Sequence, residues 1–545
     1  MKALRNSFLC LILLCGAMVL GAQAPQWQWA VRAGGDYVDI GYSIAIDSQD
    51  NLYITGLISG TATFGNHILT RMGGFVAKLD PSGNWLWAVQ AGGTGYEEGY
   101  DIAVDGSGNA YVTGLFQNTA TFGSHILTSR GGNDIFIAKL DASGNWLWAV
   151  RAGGTIYDMG YGITLDGSGN AYVTGSFGGT ATFGSHTLTT NGYYGTFVAK
   201  LDPSGNWIWV IQAEGMDDNG YDIAVDGVGN TYVIGIFGDT TTFGSHTLTE
   251  IGSYNIYVAK LDTSGNWLWA AQVEGTDWDE GYGIAVDSSG NAYVTGYFFR
   301  TASFGNPDNM LSGIIDIFVA RLGPHDFWDW AVKAGGINSD RGYSIVLDGS
   351  GNAYVTGEFQ NTATFGNHTL TATGDDREDI FVAKLNPSGN WLWAVQAGGT
   401  NCDKGYGIAL DGAGNAYVTG CFKDTAFFGS HSLTASGQND VFVAKLGSGT
   451  PVEDELAPQA LARLHNAYPN PLGRGASALI KADIPERTSG TLSIFNLRGQ
   501  VVARYKLGPG SQQISFSGEG LPAGVYLYSL QCGDYRETRK LVLMK

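Results

Sequence analysis

The chain has 545 residues, 44% hydrophobic and 12% aromatic, enough for a large core, and its 15% of charged residues excludes disorder driven by charge excess. Its net charge of -20 is uneven: residues 25–446 hold 17 Lys+Arg against 42 Asp+Glu, a balance of -25, and residues 462–545 hold 11 against 5, a balance of +6. The acidic part argues against nucleic acid and anionic membranes as ligands and suits solubility outside the cell.

Residues 1–24 read as a secretory signal peptide. Lys2 and Arg5 give the charged start, Leu9 to Leu20 the apolar stretch, and Gly21, Ala22 and Ala24 the small-residue exit. No later apolar run is long enough to span a bilayer, so no transmembrane segment is expected once the signal is removed. The expected location is secreted or outer cell surface, reached through the periplasm. Cys402, Cys421 and Cys532 lie beyond the leader. Cys402 and Cys421 flank one predicted hairpin and either pair in an oxidising compartment or stay as unpaired small residues.

From residue 25 one stretch recurs. DGSGNAYVTG and its variants begin at Asp47, Asp105, Asp166, Asp226, Asp287, Asp348 and Asp411, at steps of 58, 61, 60, 61, 61 and 63 residues. A unit that repeats at this spacing cannot bury its own apolar faces and must stack on its neighbours. Each copy predicts four short strands: in the second, GYDIAVD, AYVTGLF, DIFIAKLD and WLWAVRA, joined by GSGN, a long loop holding TATFGSHILT, and ASGN. The glycine-rich turns supply left-handed backbone for tight hairpins. Four antiparallel strands repeated seven times predict an all-β fold, a seven-bladed β-propeller over residues 25–446. Fourteen of 15 tryptophans fall in seven W-x-W pairs, from Trp27/Trp29 to Trp391/Trp393, where large rings fill space between sheets. The first pair precedes the first full repeat and the last repeat has none after it. The N-terminal strand is therefore expected to complete the last blade and remove both exposed edges.

The repeat GYgIAvD-sGNaYVTG…DiFVAKLd-sGNWlWAv resembles the bacterial seven-bladed propeller repeat known as SBBP. The resemblance implies a fold and an extracytoplasmic setting, and brings no catalytic residue with it.

After Leu446, GSGTPVEDELAP has glycine, proline and acids without periodicity, and residues 447–465 read as a linker. Residues 466–545 lose the repeat and predict a small Ig-like β-sandwich. This tail resembles the C-terminal sorting domain of type IX secretion substrates. The resemblance rests on Tyr468-Pro469-Asn470-Pro471, the Phe495-Asn496-Leu497-Arg498-Gly499 turn, Leu521-Pro522-Ala523-Gly524-Val525-Tyr526 and Lys540-Leu541-Val542. It implies the type IX secretion machinery as a partner.

Chemistry is sought in four recurring positions. His67, His125, His186, His246, His368 and His431 recur in FG[NS]H on outlying loops, one in each repeat but the fifth, which reads Phe304-Gly305-Asn306-Pro307, and this spreads them too far apart to share a metal. The DGSGN aspartates suit hairpin side-chain bonds better than a calcium loop, so no cofactor is expected, with Ca2+ the one candidate. The third-strand base, from Lys78 to Lys445, is expected to reach an acid at the end of its stem. An acid stands two residues before each Gly-Tyr: Asp39, Glu97, Asp158, Asp218, Asp279, Asp340 and Asp403. Either these acids cap their own turns, or they and the variable residues before them form a recognition face. The second reading makes Trp278, Asp279, Asp277, Asp217, Asp218, Tyr157 and Tyr96 the candidate ligand-binding residues, because exposed aromatics anchor sugars and proteins.

No G-x-S-x-G, H-E-x-x-H or P-loop occurs, and near-identical repeats do not supply unlike groups around one point. The expected function is non-enzymatic: an extracellular binding or scaffold module with a glycan or protein ligand. A polysaccharide hydrolase or lyase using Asp217, Asp218, Asp277, Asp279 and Glu280 is one alternative, and a purely structural surface protein another.

Overall fold

The computed structural model describes residues 24–305, 309–374, 377–448, 463–465, 467–473, 477–484, 489–532 and 535–544. The expected leader and linker lie outside the described residues, apart from residues 24, 447–448 and 463–465. The chain divides into two compact units, Met1–Thr450 and Pro451–Lys545. Among the described residues every named element is a strand, and no helix is long and apolar enough to cross a membrane.

The first unit builds one four-stranded antiparallel group seven times, in a propeller-like arrangement. In the second group Glu97–Val104 pairs with Ala110–Phe116, which pairs with Asp134–Leu140, which pairs with Trp146–Gly153. The two middle strands, AYVTGLF and DIFIAKL, are buried along their whole length, which is why they read as apolar, β-branched and aromatic runs rather than as alternation. The turn between the first two strands is held by Asp105. Its carboxylate accepts the Ser107 and Asn109 N–H groups, both at 2.9 Å, and the Asn109 amide at 2.7 Å. Gly108 takes φ +78°, a left-handed value that a side chain rarely adopts.

Neighbouring groups are joined in two ways, by an outer hairpin and by the second tryptophan of each pair. An outer hairpin between the second and third strands pairs with the fourth strand of the group before, as in Ala152↔Phe183 and Gly153↔Thr182. Within each group the first tryptophan of the pair meets a hairpin phenylalanine edge-on, Trp146 on Phe122 at 5.0 Å. The second crosses to the next group: the Trp148 indole donates to Pro203 O at 3.1 Å and lies under Gly205, where an added Cβ would come within 3.0 Å of the ring. The N-terminal strand Trp27–Gly35 pairs with Asp440–Leu446 of the last group, and Trp29 lies under Gly83 of the first in the same way. The third-strand bases do find acids: Lys78 Nζ is 3.4 Å from Asp47 Oδ2 and 4.5 Å from the centre of the Tyr53 ring.

In the second unit Arg463–Leu464, Ser477–Ile484 and Gly510–Ser517 form one sheet, and Val501–Leu507, Gly490–Asn496, Gly524–Cys532 and Tyr535–Leu543 another. Ile480, Leu492, Ile494, Tyr528, Leu530 and Leu541 share its core.

Candidate binding face

The long loops and the connections that enter the first strands share one end of the strands, and the short Asp-Gly turns occupy the other. At the long-loop end the recurrent acids are buried. Asp158 accepts Gly154 N–H at 2.7 Å and Gly178 N–H at 3.1 Å; Asp340 accepts Gly336 and Gln360; Asp403 accepts Gly399 and Lys423. Each carboxylate thus ties the entering connection to the end of the second strand. Asp218 takes the Thr241 hydroxyl at 2.8 Å, and Asp279 the Phe299 N–H at 2.8 Å. Neither Glu97 oxygen has a hydrogen-bond partner. Burial pushes Asp158 up to about 6, Glu97, Asp279, Asp340 and Asp403 up to about 7, and Asp218 up to about 8, because the bonds to the ionised form do not offset desolvation.

The seven candidate residues therefore separate. Asp218 and Asp279 are fully buried parts of the frame, which corrects the expectation that they face a ligand. Tyr96 is turned inward, donating to Glu98 at 2.8 Å. Asp217, with φ +61°, accepts Tyr193 N–H at 3.1 Å, and Asp277 stands 3.4 Å from Arg300. Trp278 and Tyr157 are each 50% exposed, and Trp278 leans on Tyr254 with centroids 5.2 Å apart. On the connections and long loops of several repeats Tyr37, Ile156, Tyr193 and Ile337 are also exposed, and none occupies a repeated residue type. The five acids of the enzyme alternative each engage a different partner; Glu280 accepts the Tyr282 hydroxyl.

The structure adds a feature that repeat-by-repeat inspection of the sequence does not reveal. Tyr42, Tyr100, Tyr161, Tyr221, Tyr282, Tyr343 and Tyr406 form a cycle, each ring centroid 5.0–5.7 Å from the next, and Tyr406 returns to Tyr42. A β-bulge aims each tyrosine: Gly41 pairs with Gly56 and Ser43 with Thr55, leaving Tyr42 as the extra residue. The residue between the acid and this Gly-Tyr takes six types over the seven repeats: Ile40, Glu98, Met159, Asn219, Glu280, Arg341 and Lys404. Glu98 accepts Tyr42 at 2.7 Å and Tyr100 at 3.2 Å, and Glu358 holds both Arg341 and Lys404 at 2.7 Å. The recurrence of Gly-Tyr in all seven repeats, with a variable residue before it, was the available signal.

Elsewhere, Cys402 and Cys421 are both free thiols, and burial pushes Cys421 up to about 12. His67 and its counterparts begin the second strand of each outer hairpin, and no group of three or more His, Cys, Asp or Glu among the described residues is arranged to hold a metal. In the second unit Asn470 brackets the last strand, donating to Lys540 O at 2.8 Å and accepting Val542 N–H at 2.9 Å. Tyr526 is buried and donates to Pro522 O at 2.8 Å, while Tyr468 is exposed beside Pro469 and Pro471. Gly524 opens the strand that runs beside Lys540.

Comparison with known proteins agrees with this layout. Residues 28–61, 86–115, 268–297 and 392–420 match the SBBP beta-propeller repeat, and residues 466–544 match the secretion system C-terminal sorting domain. An uncharacterized WD repeat-containing protein of Acanthamoeba polyphaga mimivirus is 24% identical over 76% of this chain and 38% of its own length. The regulatory protein FlaEY of Caulobacter vibrioides is 26% identical over 45% of this chain and 28% of its own. The chain thus spans well under half of these two relatives. Among solved structures, PorZ, a surface component of the type IX secretion system of Porphyromonas gingivalis, aligns over 94% of this chain and 60% of its own, with 14% identity and a TM-score of 0.37. The chain carries SBBP beta-propeller repeats followed by a type IX sorting domain, and is a secreted protein of the cell surface or the extracellular space.

Proposed function

We propose that this is a non-enzymatic binding protein, a seven-bladed β-propeller over residues 25–446 that recognises an extracellular glycan or protein through its long-loop face. The N-terminal strand completes the last blade, the leader is residues 1–24, and the linker 447–465 leads to an Ig-like sandwich at 466–545 that serves as the export tail. One observation carries the reading: aromatic and aliphatic side chains that differ from repeat to repeat, Tyr37, Tyr157, Tyr193, Trp278 and Ile337, stand exposed on one face above a frame that does not vary. Exposed, non-repeating aromatics are suited to anchoring a partner. Asp217 and Asp277 flank this patch and would supply polar contacts. The reading needs no cofactor and assigns no catalytic residue.

Capture on glycan and protein arrays tests it. Trp278→Ala combined with Tyr157→Ala should weaken capture by the secreted protein roughly tenfold, the size of one good anchor at about 1.4 kcal/mol, with the thermal unfolding midpoint unchanged. Capture that is the same for both proteins removes this face as the site.

A further inference from the structure

The seven junctions between groups obey a charge rule with one exception. Every junction holds the acid of the entering connection. Four add a second carboxylate at the start of the preceding third strand: Asp440 beside Asp39, Asp134 beside Asp158, Asp316 beside Asp340 and Asp379 beside Asp403. The other three have Gly73, Gly195 and Asn255 at that position. The fourth-strand residue facing it, five after the first tryptophan, is a base at three of the two-acid junctions. Arg32 bonds Asp440, Arg151 bonds Asp134, and Lys333 bonds Asp316 at 2.8 Å. At the three one-acid junctions it is Gln90, Gln212 and Gln272. Counting the base at the fourth-strand position alone, six junctions carry one carboxylate more than their bases, and Arg71 near Glu97 and Arg130 near Asp134 add further positive charge at two of them. The seventh, Asp379 with Asp403, carries two, because Gln396 stands where a base belongs.

The geometry closes off other compensation. Gln396 spends its amide on the Thr371 backbone, at 2.7 and 3.1 Å, as Gln212 does on Thr189. Asp379 and Asp403 are fully buried. Asp379 Oδ2 accepts the Thr373 N–H and hydroxyl, while Oδ1 has no partner and aims at Gly398, where an added Cβ would lie 2.5 Å from it. Among the described residues the surrounding charges do not supply a cation. Lys404 is held by Glu358, Arg377 points to Cys402, Lys423 offers only its backbone N–H, and Asp424 and Glu378 are themselves acids.

We propose that the Asp379–Asp403 junction stores an additional proton in place of the missing base, so that this seam is loosened more than its sisters as the surroundings become alkaline. Two buried carboxylates cannot both ionise without a cation between them. Burial first, and for Asp403 the neighbouring Asp379 as well, pushes Asp379 up to about 6 and Asp403 up to about 7. Such groups confer stability that is complete below the ordinary carboxyl range and lost as pH rises through the raised values.

The test compares the full chain with Asp379→Asn and, separately, with Gln396→Arg, which installs the residue of the sister junctions. Unfolding midpoints are followed from pH 5 to pH 8, with and without 1 mM CaCl2. The wild-type midpoint should fall more steeply than that of either variant. The variants should gain roughly tenfold in relative folding constant for each pH unit by which the lost or neutralised carboxyl had stood above its ordinary pKa. If Gln396→Arg does not fold, Asp379→Asn alone decides. Parallel profiles for wild type and Asp379→Asn overturn the proposal. So does a calcium-dependent rise of the wild-type midpoint at pH 8 that Asp379→Asn abolishes, since the seam would then hold a metal.

Discussion

Aspartates beside glycines stand at both ends of the strands, and they behave oppositely. At the short turns burial works against ionisation of Asp105, but the Asn109 side chain, the backbone N–H groups of Asn109 and Ser107, and Lys139 outweigh it, so its carboxyl lies below the ordinary range. At the long-loop end Asp340 is buried with two backbone N–H groups and a second carboxylate nearby, and is pushed up to about 7. The depth of burial first, then the number of donors and the sign of the nearest charge, decide the outcome, not the residue or its glycine neighbour. The difference extends to function. The turn-end carboxylate draws its bonds from its own repeat and so can be copied seven times. The loop end draws its bonds from segments some twenty residues away, and what stands above those bonds is free to vary.

Two substitutions should break the comparison at its foundations. The larger effect is expected at Gly114. An alanine Cβ there would lie 1.9 Å from Glu98 O, so the bulge that aims Tyr100 cannot form. We expect Gly114→Ala to cost more than about 4 kcal/mol, or to prevent folding, in denaturant titration. A wild-type midpoint would show that the bulge is dispensable. Next comes Asp105→Ala at the turn end, which leaves Lys139 buried 3.6 Å from an absent carboxylate and strips the hairpin of its side-chain bonds. A loss of about 3 kcal/mol is expected by the same titration; one below about 0.5 kcal/mol, the range of an ordinary surface change, would remove the turn from the frame.

Much of the frame was legible because it depends on local periodicity. Strand runs, Asp-Gly turns, tryptophan pairs and the basic residue of the third strand each follow from residues within one repeat, and the W-x-W count anticipated the pairing of Trp27–Gly35 with Asp440–Leu446. The tail motifs were legible as an ordered set, although only the structure shows Asn470 gripping the strand of Lys540 and Val542. What escaped depends on partners far along the chain. Tyr42 reads as an ordinary strand residue until Gly41 is paired with Gly56, and the tyrosine cycle needs all seven groups in place. The fate of Asp218 and Asp279 turned on Thr241 and Phe299, about twenty residues on, so an acid that could face outward in the sequence is sealed in the fold. Attention went to the residue before each acid, while among the equally variable residues after it Glu98, Met159 and Glu280 bond to tyrosines of the cycle.

The opposite titration of the two ends sharpens the comparison, with the smallest effect per residue. Asp340 and Asp403 have folded values raised to about 7, so the stability they confer is complete below about pH 4, the ordinary carboxyl range, and is lost as pH rises through 7. Asp105 and Asp348 have lowered values, so theirs is present above about pH 4 and lost as pH falls below it. The unfolding midpoint should therefore peak between about pH 4 and pH 6. Each group can contribute about 1.4 kcal/mol for every pH unit that separates its folded pKa from its unfolded one. Asp340→Asn should flatten the alkaline limb and leave the acid limb, and Asp105→Asn should do the reverse. A midpoint that climbs steadily to pH 8 in wild type and both variants would mean that the buried acids keep their charge, and that the two ends of the strands do not differ in the way their hydrogen bonds imply.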